Sequence, residues 1–169
     1  MGFAYRARQF FQNLSARPQP ADLQAAQAFL TPPLFDLFCQ MDTADQAHSL
    51  KVFNSLKNDG EVDEDLLAAA LLHDIGKAKI QPAIWERVLA VLAEPYIGDR
   101  WKDLPARGWR KAFVIAAAHP KWGADMVRQA GGSRRLEQLI RYHQTKTLND
   151  LGSDEVYLLR RLQNADSRH

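Results

Sequence analysis

The sequence predicts an all-α, single-domain helical bundle, and three observations carry that reading. Apolar residues recur with helical spacing and show no convincing alternation. Prolines and glycines punctuate the chain at helix-sized intervals. The length of 169 residues suits one core that needs neither disulfides nor a structural metal to hold it. The stretches Arg17-Pro18-Gln19-Pro20 and Thr31-Pro32-Pro33 separate the first helices. Thr43 with Gln46 reads as a capping box that starts a helix carrying His48, Val52 and Leu56, and Asn58-Asp59-Gly60 closes it. Asp63 is placed to cap the next helix, which runs through Leu66 to Leu72 and delivers His73 and Asp74 at its C-terminal end. Gly76 is expected to stop it in the left-handed conformation. Further helices are predicted over Pro82 to Ala93, Trp109 to Ala118, Pro120 to Ala130, Ser133 to His143 and Ser153 to Ala165, with Glu94 to Gly108 irregular. Residues 1–34 are expected to form an N-terminal helical extension packed on the same domain, and 35–169 the main helical domain.

Composition narrows the function classes. Apolar residues at 46% and charged residues at 25% are ordinary for a soluble globular chain, and a net charge of +2 gives no strong nucleic-acid or membrane footprint. Cys39 is the one cysteine, which rules out an intramolecular disulfide and fits a reducing compartment. The N-terminal segment lacks the long apolar stretch of a signal peptide, and Phe3, Phe10, Phe11 and Leu14 are read as one face of a helix docked on the same domain, or else of a surface-binding helix. A cytoplasmic location is expected. Nothing bears on the oligomeric state.

The residues with chemistry are the histidines and two aspartates. His73-Asp74 emerges directly from the apolar run Ala68-Ala69-Ala70-Leu71-Leu72. An ionised Asp there needs a hydrogen-bonded partner or a cation to offset its burial. His48 lies within a capped helix, His119 precedes Pro120 at a predicted helix start, and His143 ends a helix. Each of these, like Asp166 after Ala165, also reads on its own as an ordinary core or helix-end residue. His169, at the last position, is expected to play no part. Lys77 follows Ile75-Gly76 as a candidate phosphate contact, or as a lysine complementing a helix C-terminus. Lys121 and Arg141 neighbour these positions and are read as solvated charges or anion contacts. Trp85, Trp109 and Trp122 are read as core or pocket residues.

In order and spacing, His48, Leu71-Leu72-His73-Asp74-Ile75-Gly76-Lys77, His119-Pro120 with Gly123-Ala124, Arg141-Tyr142-His143 and Asn164-Ala165-Asp166 resemble the HD superfamily of metal-dependent phosphohydrolases, over residues 35 to 167. The resemblance implies an HD-type helical fold. It also implies that His48, His73, Asp74 and Asp166 ligate a first metal, with Asp74 bridging to a second held by His119 and His143. The implied cofactors are divalent metal ions, two in number, with Fe, Mn, Zn, Co, Ni and Mg left open. Two ions about 3.5–4 Å apart lower the pKa of a shared water and neutralise phosphate oxygens. Asp74 and Lys77 then carry the catalytic roles, and the expected partner is a small phosphorylated substrate, a nucleotide or related phosphoester.

Departures bound the branch. The chain has His143-Gln144 where the cyclic-dinucleotide phosphodiesterases pair two histidines, and it lacks their Gly-Tyr-Pro signature. An acidic ligand one helical turn before His48 would fall at Ala44, which disfavours a trinuclear site. Two alternatives stay open: a di-iron oxygenase on the same ligand set, and a non-catalytic metal- or nucleotide-binding module.

Overall fold

The computed structural model describes residues 17–80, 101, 104–145 and 151–169. The predicted helix over Pro82 to Ala93, Trp85 and the apolar face of the first fourteen residues lie outside them. Among the described residues there are seven α-helices, one 3-10 helix and no strand. The all-α expectation holds.

Helices α1 (Pro20–Phe29) and α2 (Pro32–Gln40) both open on proline, whose missing N–H costs nothing in a first turn. Helix α3 (Thr43–Asn58) is capped by Asp42, whose carboxylate accepts from the Ala44 amide at 3.0 Å, so the expected capping box is off by one residue. Gln46 reaches backwards instead. Its Nε2 donates to the Phe38 and Met41 carbonyls at 3.1 and 3.2 Å, satisfying groups at the end of α2. Gly60, at φ +80°, ends the turn after α3 in the left-handed region.

Helix α4 (Glu64–Leu72) starts where Asp63 accepts from the Leu66 amide at 2.9 Å. All seven residues from Leu66 to Leu72 are buried, so this helix is covered on every side by α3, α6 and α7. Each buried leucine contributes about 1.5–3 kcal/mol, which anchors the segment that presents His73 and Asp74. Ala26, Leu30, Leu34 and Phe38 from α1, α2 and the link between them belong to the same core as α4.

Two expectations about the middle of the chain are corrected. Gly76 does not adopt a left-handed conformation; it lies in the 3-10 helix Ile75–Lys79 that continues from Asp74. Its lack of a side chain serves a close crossing, because a Cβ there would lie 2.0 Å from the His119 carbonyl oxygen. The second correction concerns α5 (Arg110–Gln129), one continuous helix with Pro120 inside it, where two helices were expected. The proline does not end the helix, and the backbone carbonyl it leaves without its amide partner finds another donor, described below.

Helix α6 (Arg134–Tyr142) is capped by Ser133, and α7 (Ser153–Asp166) closes the bundle against α3, α4 and α6. Trp109, expected in the core or lining a pocket, is 55% exposed and stands beside Trp101 and Phe113, outside the core. Trp122 is half-buried under the Lys79 ammonium.

Candidate metal centre

Six side chains from five helices and their ends meet at one place. His48 comes from the middle of α3, His73 from the C-cap of α4, and Asp74 from the next position. His119 comes from the middle of α5, His143 from the C-cap of α6, and Asp166 from the last residue of α7. His73, Asp74, His119 and His143 are buried, whereas His48 and Asp166 are partly open.

Backbone chemistry fixes three of the imidazoles. At a helix C-terminus the last carbonyls lack intrahelical donors. His73 Nδ1 takes one of them, the Ala70 oxygen at 3.1 Å, and His143 Nδ1 takes the Ile140 oxygen at 2.7 Å. His119 lies mid-helix, where such carbonyls are normally spoken for. Pro120 removes the amide that would bond to Ala116, and His119 Nδ1 lies 3.0 Å from that oxygen and 3.0 Å from the Ile115 oxygen. A carbonyl only accepts, so Nδ1 carries the proton in all three rings. Each Nε2 is thereby turned inward, the arrangement in which an imidazole ligates a metal.

The inward atoms are close. His48 Nε2 bonds Asp166 Oδ1 at 2.8 Å, and His73 Nε2 lies 3.6 Å from that oxygen and 3.5 Å from Asp74 Oδ2. The other Asp74 oxygen, Oδ1, is 3.3 Å from His119 Nε2, which is 3.3 Å from His143 Nε2. Two groups of three donors result, His48–His73–Asp74 and Asp74–His119–His143, each with its atoms within 4.8 Å and each able to hold an ion. Two observations fit a cation to this donor set. His73 Nε2 is buried with no hydrogen-bond partner. His119 and His143 also point their Nε2 atoms at each other across 3.3 Å while both hold their Nδ1 protons on backbone carbonyls, so with neither Nε2 protonated two lone pairs would oppose each other. A proton or a metal ion relieves that opposition.

The electrostatics follow the same geometry. Burial raises the Asp74 pKa, but the charges of Lys77 and His73 and the contact with His119 hold it well below the usual carboxylate range. Burial likewise opposes ionisation of Asp166, and the hydrogen bond from His48 with the nearby His73 outweighs it. His143 is pushed down to about 3 by burial and by the neighbouring His119 and His73, so it is neutral. Burial also pulls His73 down, but Asp74 and then Asp166 raise it to about 9. Lys77 remains charged because Asp74 and Asp45 more than compensate its burial, and its ammonium lies 2.5 Å from Asp74 Oδ2.

One nearby residue escaped the sequence reading. Asp45, not Ala44, is the acid of α3 that turns toward the site; its Oδ1 is 3.9 Å from Lys77 Nζ, while Ala44 is buried beside it. Counting back four residues from His48 misses a side chain that a three-residue step brings to the same face. The pKa of His169 is lowered, by burial first and then by His48. Arg141 is held by Asp125 at 3.1 Å and Glu137 at 2.9 Å, and Lys121 is exposed.

Neither the curated proteins nor the solved structures yield a match to this sequence. The HD domain family does, over residues 44–168, a span that takes in all six convergent side chains. Covering well over half of the chain and coinciding with an all-α bundle, that match places the chain in the HD-domain family, which is in general one of metal-dependent phosphohydrolases.

Proposed function

We propose that this chain is a metal-dependent phosphohydrolase that cleaves a small phosphoester, a nucleotide or a related compound. The observation that carries the reading is Asp74: one ionised, buried carboxylate whose two oxygens face two different groups of imidazoles. On this reading His48, His73, Asp74 and Asp166 hold one divalent ion, and Asp74, His119 and His143 hold a second. Two bound ions would supply a nucleophile from water at neutral pH and offset charge on phosphate oxygens. The residues do the rest. Carbonyl-anchored Nδ1 protons keep three rings from rotating, so the donor geometry exists before substrate arrives. Lys77, charged and half-buried beside Asp74, presents a point charge to an incoming phosphate and orients it. No serine or cysteine nucleophile is required.

The test is a phosphatase and phosphodiesterase substrate screen under strict anaerobiosis, with manganese, zinc, magnesium and iron compared. Hydrolysis without dioxygen is expected, because attack by water changes no oxidation state. Turnover confined to iron and dioxygen, with gas-derived oxygen in the product, would transfer the same ligand set to an oxygenase. Less than about one metal equivalent under every supplementation would favour a non-catalytic module, since six donors exceed the four of a single tetrahedral site.

A proton accompanies the metal on this reading. His73, raised to about 9, is protonated in the metal-free chain at neutral pH and must lose that proton to ligate. Its folded pKa lies above the ordinary 6.5, so its stabilisation of the metal-free fold is complete below pH 6.5 and is lost as pH rises through about 9. Metal affinity therefore climbs with pH over that window while metal-free stability declines. Titration calorimetry at pH 7.5 in buffers of different ionisation enthalpy should register about one proton released at this site. An affinity flat from pH 6.5 to 9 would contradict the assignment of His73.

A further inference from the structure

Lys77 and a metal in the His48–His73–Asp74 group would call on the same oxygen. Asp74 Oδ2 is the atom that lies 2.5 Å from the Lys77 ammonium and 3.5 Å from His73 Nε2. An ammonium clamped on that oxygen draws its electron density and repels an arriving dication at short range. A second carboxylate stands on the other side of the ammonium: Asp45 Oδ1, 3.9 Å from Lys77 Nζ, with Asp45 only 15% exposed at the side chain. Asp45 belongs to the first turn of α3, three residues before His48, so one face of that helix brings both an imidazole and a carboxylate to the site.

We propose that Asp45 is a positioning residue for Lys77, the second carboxylate that keeps the ammonium at the site when a metal ion takes Asp74 Oδ2 from it. The proposal rests on the metal-binding reading of the site and assigns Asp45 no metal of its own. A metal ion has to displace the ammonium from Asp74 in either case; with Asp45 it moves to a carboxylate already 3.9 Å away, and without Asp45 no second carboxylate stands within 4 Å of it among the ion pairs of the described residues. The competing role is a plain helix-start acid that complements the macrodipole of α3, and such a role would not depend on Lys77.

The experiment is calorimetric titration with manganese(II) of the full chain, Asp45→Asn, Lys77→Ala and the double variant, each first freed of metal. Asp45→Asn should weaken manganese binding by about tenfold or more, in the range seen for partners of metal ligands, with unchanged stoichiometry. In the Lys77→Ala background the same substitution should cost less than about threefold, because the ammonium it restrained is gone. Asp45→Ser, which keeps a residue suited to a helix start, should reproduce the pattern if Asp45→Asn fails to fold. An equal loss in both backgrounds would overturn the proposal and leave Asp45 a helix-start acid or a generic charge. A fall in stoichiometry would overturn it by making Asp45 a ligand. No binding by the full chain of manganese or any other divalent ion would remove the metal reading itself, a result distinct from either.

Discussion

Asp74→Ala is expected to abolish metal binding and hydrolysis together, the largest effect at any single position of the site. Asp74 is the one donor common to both groups, so its loss leaves two imidazoles in one and two imidazoles with Asp166 in the other. Removing one electrostatic stabiliser commonly costs about 10²–10³-fold in turnover, and here the carboxylate between both ion positions is lost, so a fall of at least that size is expected. Stability should suffer less than a simple ion-pair loss would suggest. Asp74 is the principal charge that raises His73, so without it burial weighs more toward the neutral ring, opposed by Asp166; the half-buried Lys77 still has Asp45. Asp74→Asn separates shape from charge, since it keeps the volume and loses the anion. Both variants, assayed for metal by elemental analysis and for turnover on the best substrate of the screen, should behave alike. Lys77→Ala should instead keep its metal and lose about 10–100-fold in turnover or substrate affinity. Full metal content and the parental rate in Asp74→Ala would show that the site has been misassigned.

Much of this architecture is legible in the sequence because the signals are local. The apolar run from Leu66 to Leu72 can only be a buried element, and Asp63 before it and Ser133 before α6 cap as their residue types dictate. The convergence of His48, His73, Asp74, His119, His143 and Asp166 was readable through the family resemblance rather than from spacing, since their positions span about seven-tenths of the chain. What was misread depends on contacts between distant segments. Pro120 reads as a helix boundary until His119 is seen occupying the carbonyl it leaves open. Thr43 and Asp42 are both good caps, and the choice falls to Asp42 because Gln46 is drawn away to the carbonyls of Phe38 and Met41. Asp45 goes unnoticed until Lys77, 32 positions later, arrives beside it.

Gly76→Ala is expected to destabilise the fold by about 3 kcal/mol, the upper end of typical overpacking costs. The reason lies in what the new methyl would meet. At ideal geometry it falls 2.0 Å from the His119 carbonyl oxygen, 2.8 Å from the His119 carbonyl carbon and 2.7 Å from the Gly123 amide nitrogen, where ordinary contact begins near 3.4 Å. All three are backbone atoms of a continuous helix, so no rotamer change relieves the clash, and the 3-10 helix must part from α5 by more than an ångström. That displacement acts directly on the site. Asp74 precedes the 3-10 helix and Lys77 lies in it, whereas His119 belongs to α5, so the 3.3 Å approach of Asp74 Oδ1 to His119 Nε2 depends on this crossing. For a chain of this length about 3 kcal/mol corresponds to a fall in Tm of roughly 6–12 °C. Gly123→Ala is the informative contrast. Its methyl would meet the Gly76 nitrogen and the Ile140 and Ile75 side-chain methyls at 3.2 Å each, and the side chains can give way by a few tenths of an ångström. The order expected in thermal melting of the metal-free proteins is therefore parent, then Gly123→Ala, then Gly76→Ala. Metal affinity should fall most in Gly76→Ala, because it alone separates the two halves of the donor set. A Gly76→Ala chain that melted with the parent and bound manganese equally well would mean that the crossing is looser than its backbone distances require.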